Sequence, residues 1–197
     1  ELSAGYKNYY EGSLNTLIGY DYDKLQLNAQ DVEYQYGTLQ NANLDIFYWH
    51  LLSEFWAIKG GVNYEESPTN TPYAQPGIGI AGTMPYFIDT DVRAYYHSGS
   101  FKWDIDLSRD TQITNNFFIR LGVSGDLATK TVIQDQVGSG LEQLQLIVRP
   151  YYRLRPGVNL FAEYDHDMNF GAFRTFQANN GAPGVVNTVT GGIELLF

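Results

Sequence analysis

The segment at the end of the chain most constrains the fold. Asn187 to Phe197 reads NTVTGGIELLF, and counting in twos from Phe197 puts Leu195, Ile193 and Val189 on one face. Glu194 and the threonines fall on the other face. A strand with apolar residues outside and a carboxylate inside suits a β-barrel that has lipid around it and a polar lumen within. The segment predicts such a barrel if the rest of the chain repeats the pattern.

The rest of the chain repeats the alternation, so we predict an all-β fold, a closed antiparallel transmembrane β-barrel. About twelve strands are expected, with ten as the alternative, in a single domain that covers residues 1–197. Pro76 and Pro150 fall inside predicted strands and lack a ladder donor, so we expect a β-bulge at each. The predicted strands are residues 2–10, 16–22, 24–34, 41–52, 55–65, 73–83, 89–97, 101–110, 116–127, 141–154, 158–167 and 187–197.

The predicted connections differ in length between the two ends of the barrel. Those after even-numbered strands are short, at residues 23, 53–54, 84–88, 111–115 and 155–157. The two longest, residues 130–140 and 170–185, follow the ninth and eleventh strands. Short periplasmic turns and longer extracellular loops are typical of bacterial barrels, so both termini are expected on the periplasmic side.

Composition excludes several classes of protein. The chain has 15% aromatic residues, no cysteine and a net charge of −10, and its mean hydropathy is −0.28. Because no apolar run approaches about 18 residues, a transmembrane helix is excluded. Nucleic-acid binding is excluded because phosphate contacts need clustered lysine and arginine. The alternative is a soluble β-sandwich, which does not require turns of two lengths.

Strand parity predicts a set of charged residues that face the lumen. Acidic and basic positions alternate on neighbouring strands, so we expect an ionic network that rigidifies a narrow barrel. The predicted members are Asp91, Arg93, Asp104, Asp106, Arg120, Arg149, Arg153, Glu163, Asp165 and Glu194.

One histidine shares this inward parity. His97 lies near the extracellular rim, and imidazole with carboxylates suits a borderline ion such as copper(II). The predicted metal site combines His97 with Asp91 and Asp104, and adds Glu163 and Asp165 as further carboxylates. The alternative is a rim histidine that faces water.

The pattern does not favour an enzyme. Outer-membrane phospholipases need a histidine and a serine two residues apart on the same face for nucleophilic attack. His97 and Ser98 are adjacent and face opposite ways, and neither His50 nor His166 has a serine two residues away.

Several stretches together resemble the barrel domain of the copper resistance protein B family. They are GYDYDKLQL from Gly19, FWAIKGGVNYE from Phe55, MPYFIDTDV from Met84 and GSGLEQLQL from Gly138, in that order. The resemblance implies a bacterial outer-membrane protein of copper homeostasis that binds or conducts copper ions and works with a periplasmic multicopper oxidase.

Members of that family carry a segment rich in methionine and histidine ahead of the barrel. This sequence contains only Met84 and Met168, so we expect that such a segment is missing from it. The alternative function is a general small-solute channel or structural barrel without a metal role.

Overall fold

The computed structural model describes residues 2–5, 9–35, 38–66, 72–179, 181 and 183–195. Eleven antiparallel pairings join consecutive strands into one sheet of twelve, in sequence order, so the all-β prediction is confirmed. The strands are β1 (Leu2–Gly5), β2 (Tyr9–Tyr20), β3 (Asp23–Gln35), β4 (Thr38–Leu51), β5 (Trp56–Glu66), β6 (Tyr73–Met84), β7 (Ile88–His97), β8 (Ser100–Gln112), β9 (Phe117–Ala128), β10 (Gly140–Arg155), β11 (Val158–Asn169) and β12 (Val185–Leu195).

The two ends of the sheet differ as the sequence predicts. At one, which we call the turn end, the connections are residues 21–22, 52–55, 85–87, 113–116 and 156–157. At the other, the loop end, lie the two long connections, residues 129–139 and 170–184. These loops contain a short 3₁₀ turn (Ile133–Asp135) and a helix, α1 (Gly171–Asn179), which the strand pattern did not predict.

No helix in the described part of the chain has the length and apolar character needed to cross a membrane.

The first two strands correct the sequence-based boundaries. The sequence predicted one strand over residues 2–10, but Tyr9 and Tyr10 belong to β2, where they pair with Gln35 and Tyr34 of β3. The sequence-based prediction also left residues 11–15 outside any strand. In the structure the register instead shifts between Gly12 and Leu14, which is how a strand absorbs an irregular position without ending.

The two prolines lie in strands, but the expected bulges are absent there. Pro76 pairs with Val62 and Pro150 with Ile119, and neither register shifts at the proline. Each proline strand also pairs with a second neighbouring strand, and in that pairing the proline itself has no partner. The described pairs of β6 with β7 begin at Gly77, and those of β10 with β11 pass from Val148 to Tyr151. A missing N–H therefore interrupts one ladder without changing the register.

Side chains alternate between a polar inner face and an apolar outer face. On β5 and β6, Lys59 is 3% exposed and Gln75 is 1% exposed, whereas Ile58 is 49% exposed and Ile78 is 68% exposed. The same outward exposure recurs on β12, where Ile193 is 64% exposed. Phe197, predicted to face outward, lies beyond the described residues. The chain thus buries polar groups and exposes apolar ones, the reverse of a water-soluble core.

The sheet curves strongly around its inner face. Arg93 of β7 and Asp45 of β4 lie 3.2 Å apart at Nη1 and Oδ2, although their strands are three positions apart. Strand spacing in a flat sheet would separate their backbones by about 14 Å. Asn43 of β4 also lines the same cavity as Asp167 of β11. Among the described residues, however, no pairing joins β1 to β12.

We expect Gly77→Ala to destabilise the fold by about 1–3 kcal/mol, because its inner face is closely covered. A Cβ there would lie 2.8 Å from the Tyr95 ring and 2.9 Å from the Phe47 ring. The matched control is Gly60→Ala, whose Cβ would meet nothing closer than 3.9 Å. Urea unfolding followed by tryptophan fluorescence measures both; equal losses in the two variants would contradict this packing.

Candidate functional site

The most buried charges on the inner face converge on Arg93. Its Nη1 donates to Asp45 Oδ2 at 3.2 Å, and its Nη2 donates to Asp106 Oδ2 at 2.6 Å. Its Nε has no hydrogen-bond partner and lies 3.7 Å from Asp91 Oδ1. The side chain is only 9% exposed, so one guanidinium links strands β4 and β8 across the inner face.

A second buried cation lies beside it. Lys59 Nζ donates to both oxygens of Asp91, at 2.5 and 2.6 Å, and its side chain is 1% exposed. The ammonium also lies 5.0 Å from the ring centre of Trp49 and 5.4 Å from that of Phe47. A carboxylate and two aromatic faces together compensate for removing this charge from water.

Asp45 anchors this cluster because neutral donors surround it as well. Asn63 Nδ2 donates to Asp45 Oδ1 at 2.8 Å, and Tyr95 Oη donates to the same atom at 3.2 Å. Gln75 Nε2 in turn donates to Asn63 Oδ1 at 2.9 Å. With Asp45 2% exposed, these bonds satisfy a carboxylate that would otherwise be costly to bury.

The other half of the inner face contains a separate set of contacts. Arg149 lies 3.5 Å from Glu163 and 3.3 Å from Glu194, and Asn159 donates to Glu194 at 2.7 Å. The Arg149 guanidinium also lies over the Phe161 ring at 3.9 Å. The contacts link β10, β11 and β12, which are neighbours in the sheet.

Two cavities lie along the inner face; both contain charged groups, and the turn-end cavity is also lined by apolar and aromatic side chains such as Leu51, Phe55 and Trp56. The turn-end cavity, about 370 Å³, is lined among others by Lys24, Asp89, Asp91, Asp106 and Ser108. The loop-end cavity, about 610 Å³, is lined by Asn43, Arg93, Lys102, Asp104, Asp106, Ser124, Asp126, Gln143, Gln145, Ile147 and Asp167. Asp106 lines both cavities and pairs with Arg93, so the two cavities meet at the Arg93–Asp106 ion pair.

Most residues of the predicted ionic network lie in these clusters. Asp91, Arg93 and Asp106 form one group, and Arg149, Glu163 and Glu194 form another. The remaining four have other neighbours. Arg120 pairs with Asp110 at 2.8 Å, and Arg153 lies over the Phe118 ring at 4.6 Å. In the strand register, Asp104 is opposite Arg93 and Asp165 is opposite Thr188.

Two residues that are central here were predicted to face inward but were not included in the predicted ionic network. Asp45 and Lys59 share the inward parity of the predicted network, and that parity was the signal that could have included them. Their partners, Arg93 and Asp91, lie two or three strands away. Only the curvature of the sheet brings such residues together.

The predicted metal ligands are not gathered at one place. His97 Nε2 lies 3.4 Å from Asp135 Oδ2 in the long loop, and its ring stacks on Tyr73 at 4.1 Å. Asp91 is six positions away on β7, about 20 Å along the strand, and Asp104 faces Arg93. Glu163 pairs with Arg149 on the other half. Among the described residues, no group of three or more histidine and acidic side chains could hold a metal ion.

The other histidines lie on the outer face. His50 Nδ1 is 2.8 Å from Asp23 at the turn end, and His166 Nδ1 is 2.6 Å from Asn187 towards the loop end. Neither contributes to the cavities.

The long loops are fastened to the strands at the loop end. The Ser100 hydroxyl accepts the Lys130 N–H and donates to the Lys130 carbonyl, both at 3.1 Å. The Glu142 side-chain carboxylate accepts a hydrogen bond from the Gly138 N–H at 2.5 Å. The Glu142 backbone carbonyl accepts one from the Phe170 N–H at 2.8 Å. These bonds hold Asp135 close to His97 and place α1 against the first residues of β10.

This architecture defines a class of protein, a porin-like antiparallel β-sheet protein with a charged inner face. The solved structure of the NanC porin in a rhombohedral crystal form is similar, with a TM-score of 0.60 at 13% identity over 97% of this chain and 95% of that chain. A family model described as copper resistance protein B precursor (CopB) matches residues 3–197, and the chain belongs to that family. The search of curated protein sequences found no match to this chain.

We expect Asp45→Asn to lower the free energy of unfolding by about 1.5–3 kcal/mol, because it weakens charged hydrogen bonds inside the sheet. The amide oxygen could still accept from Arg93, but the guanidinium would keep charged partners only in Asp106 and Asp91. The control, Asp110→Asn, removes a pair in which both side chains are more than a third exposed, so a loss below about 1 kcal/mol is expected. Urea unfolding compares them; a larger loss at Asp110 would contradict the ranking.

Proposed function

We propose that this chain is an outer-membrane protein of copper homeostasis and resistance that binds or conducts copper ions at the bacterial outer membrane. The observation that carries the proposal is the family match over residues 3–197. The porin-like fold and the charged inner face support it, because an ion that crosses a membrane needs a polar route.

The proposal includes a closed barrel embedded in the membrane as one domain. The outer face exposes apolar side chains along β4 to β12, and in water such a surface would be costly. An open sheet edge inside lipid would leave backbone groups without partners, so β12 is expected to meet the N-terminal strand. The turn end and both termini would then be periplasmic, and the long loops extracellular.

Copper handling at the loop end is proposed to begin at His97. Imidazole suits copper(II), and the structure puts Asp135 beside it where the sequence suggested Asp91 and Asp104. Asp91, Asp104, Glu163 and Asp165 remain proposed carboxylates for an ion that moves further along the inner face. A periplasmic multicopper oxidase and a methionine- and histidine-rich segment are the proposed partners that would receive or deliver copper.

A general small-solute channel remains the second candidate. It is favoured by one observation, namely that the described residues contain no cluster of three metal-binding side chains. Both candidates share the barrel and differ in whether the protein binds or conducts copper or has no metal role.

We expect copper(II) titration of the purified protein by calorimetry to show binding that His97→Ala weakens by at least about tenfold. Loss even of a side chain that only orients a metal ligand typically costs about 10- to 100-fold. The control is His50→Ala, on the outer face at the turn end, which should bind like the unsubstituted protein.

Equal affinity in all three proteins would remove His97 from the site. Absence of copper binding in all three would exclude a copper site in the barrel itself and leave the protein as a conduit, for copper or for small solutes in general.

A further inference from the structure

We propose that the inner face forms a cation-selective path and that the Arg93 side chain is the charged barrier between its two halves. The inference rests on the proposed function only in placing the barrel in a membrane. It concerns small cations in general, so it is independent of whether His97 binds copper.

Two cavities that share Asp106 lie along the inner face, and each includes four carboxylates among its lining residues. The turn-end cavity includes Asp89 and Asp91, and the loop-end cavity includes Asp104 and Asp126. Asp106 lines both. Among the charged residues that line the two cavities, carboxylates outnumber lysine and arginine, and this excess of negative charge raises the local concentration of cations and disfavours anions.

The strand register makes the carboxylates a continuous series. Asp91 is opposite Asp106, and Asp104 is opposite Asp126 on the next strand. Asp104 and Asp106 are alternate residues of β8, so their backbones lie about 7 Å apart along the strand. A cation that leaves one carboxylate therefore meets the next within a short distance.

Asp104 and Asp126 differ from the other carboxylates of this series. Asp91 is bound by Lys59 and Asp106 by Arg93. Asp104 and Asp126 face one another directly, and within the described ranges neither forms a salt bridge. Directly opposed like charges are destabilising in a sheet, and a mobile cation between them relieves that repulsion.

Arg93 lies where the two cavities meet. It bridges Asp45 and Asp106 from a position that is 9% exposed, and it also lines the loop-end cavity. A guanidinium stays protonated at every physiological pH, so its positive charge persists. A cation that passes from Asp104 to Asp106 must approach this positive charge, which repels it. The carboxylates on both sides of Arg93 attract the cation instead.

The experiment measures ion flow through the purified protein in planar bilayers under a potassium chloride gradient. The reversal potential should show preference for potassium over chloride. Arg93→Gln should raise the conductance by at least about fivefold, because a like charge within a few ångströms of the path is removed. Arg93→Lys, which keeps the charge but not the two-armed bridge to Asp45 and Asp106, should raise the conductance less than Arg93→Gln does. The combined change Asp104→Asn and Asp126→Asn should lower the preference for potassium.

The matched control is Arg109→Gln, which changes an exposed arginine opposite Leu121 on the outer face of the same strand, β8. Its conductance should stay within about twofold of the unsubstituted protein. Equal conductance in Arg93→Gln and Arg109→Gln would overturn the barrier, and a chloride preference would overturn the path. Flotation with lipid vesicles tests membrane placement separately from the cation path. If the protein floats with the vesicles but no variant conducts, the path is contradicted and the membrane placement stands.

Discussion

In a β-strand every second side chain points to the same face, and the rest of this structure depends on that constraint. Because the outer positions are apolar, the charges of a chain with net charge −10 are concentrated on the inner face and at the ends. Charges placed there are partly withdrawn from water and must find partners. Arg93 and Lys59 do so through Asp45, Asp91 and Asp106, and these pairs tie together strands that are not neighbours.

The same pairing divides the interior into regions with different roles. Around Arg93 the inner face is filled by side chains, while the cavities on both sides keep carboxylates in contact with open space. At the loop end, backbone hydrogen bonds to Ser100 and Glu142 fix the long connections close to the rim. His97 therefore lies at the loop end, and the carboxylates of the two cavities lie further along the inner face.

Residues governed by the two-residue period could be predicted from the sequence, and residues governed by long-range geometry could not. Strands such as β7 and β8 and the inward direction of Asp91 and Asp106 follow from alternation. The contact between Arg93 and Asp45 depends on sheet curvature, which alternation does not encode. The contact between His97 and Asp135 depends on the path of a loop, and α1 is a nine-residue helix with no buried side chain to create a pattern.

The most direct test of the central claim is a cysteine scan along β8 in lipid vesicles, which is feasible because the chain has no native cysteine. Spin labels at positions 101–108 report the accessibility of each site to oxygen, which enters lipid, and to a water-soluble nickel complex. A two-residue period is expected, with Phe101, Trp103, Ile105 and Leu107 accessible to oxygen and the alternate positions shielded from lipid. Uniform accessibility, or lipid contact at Asp104 and Asp106, would contradict it.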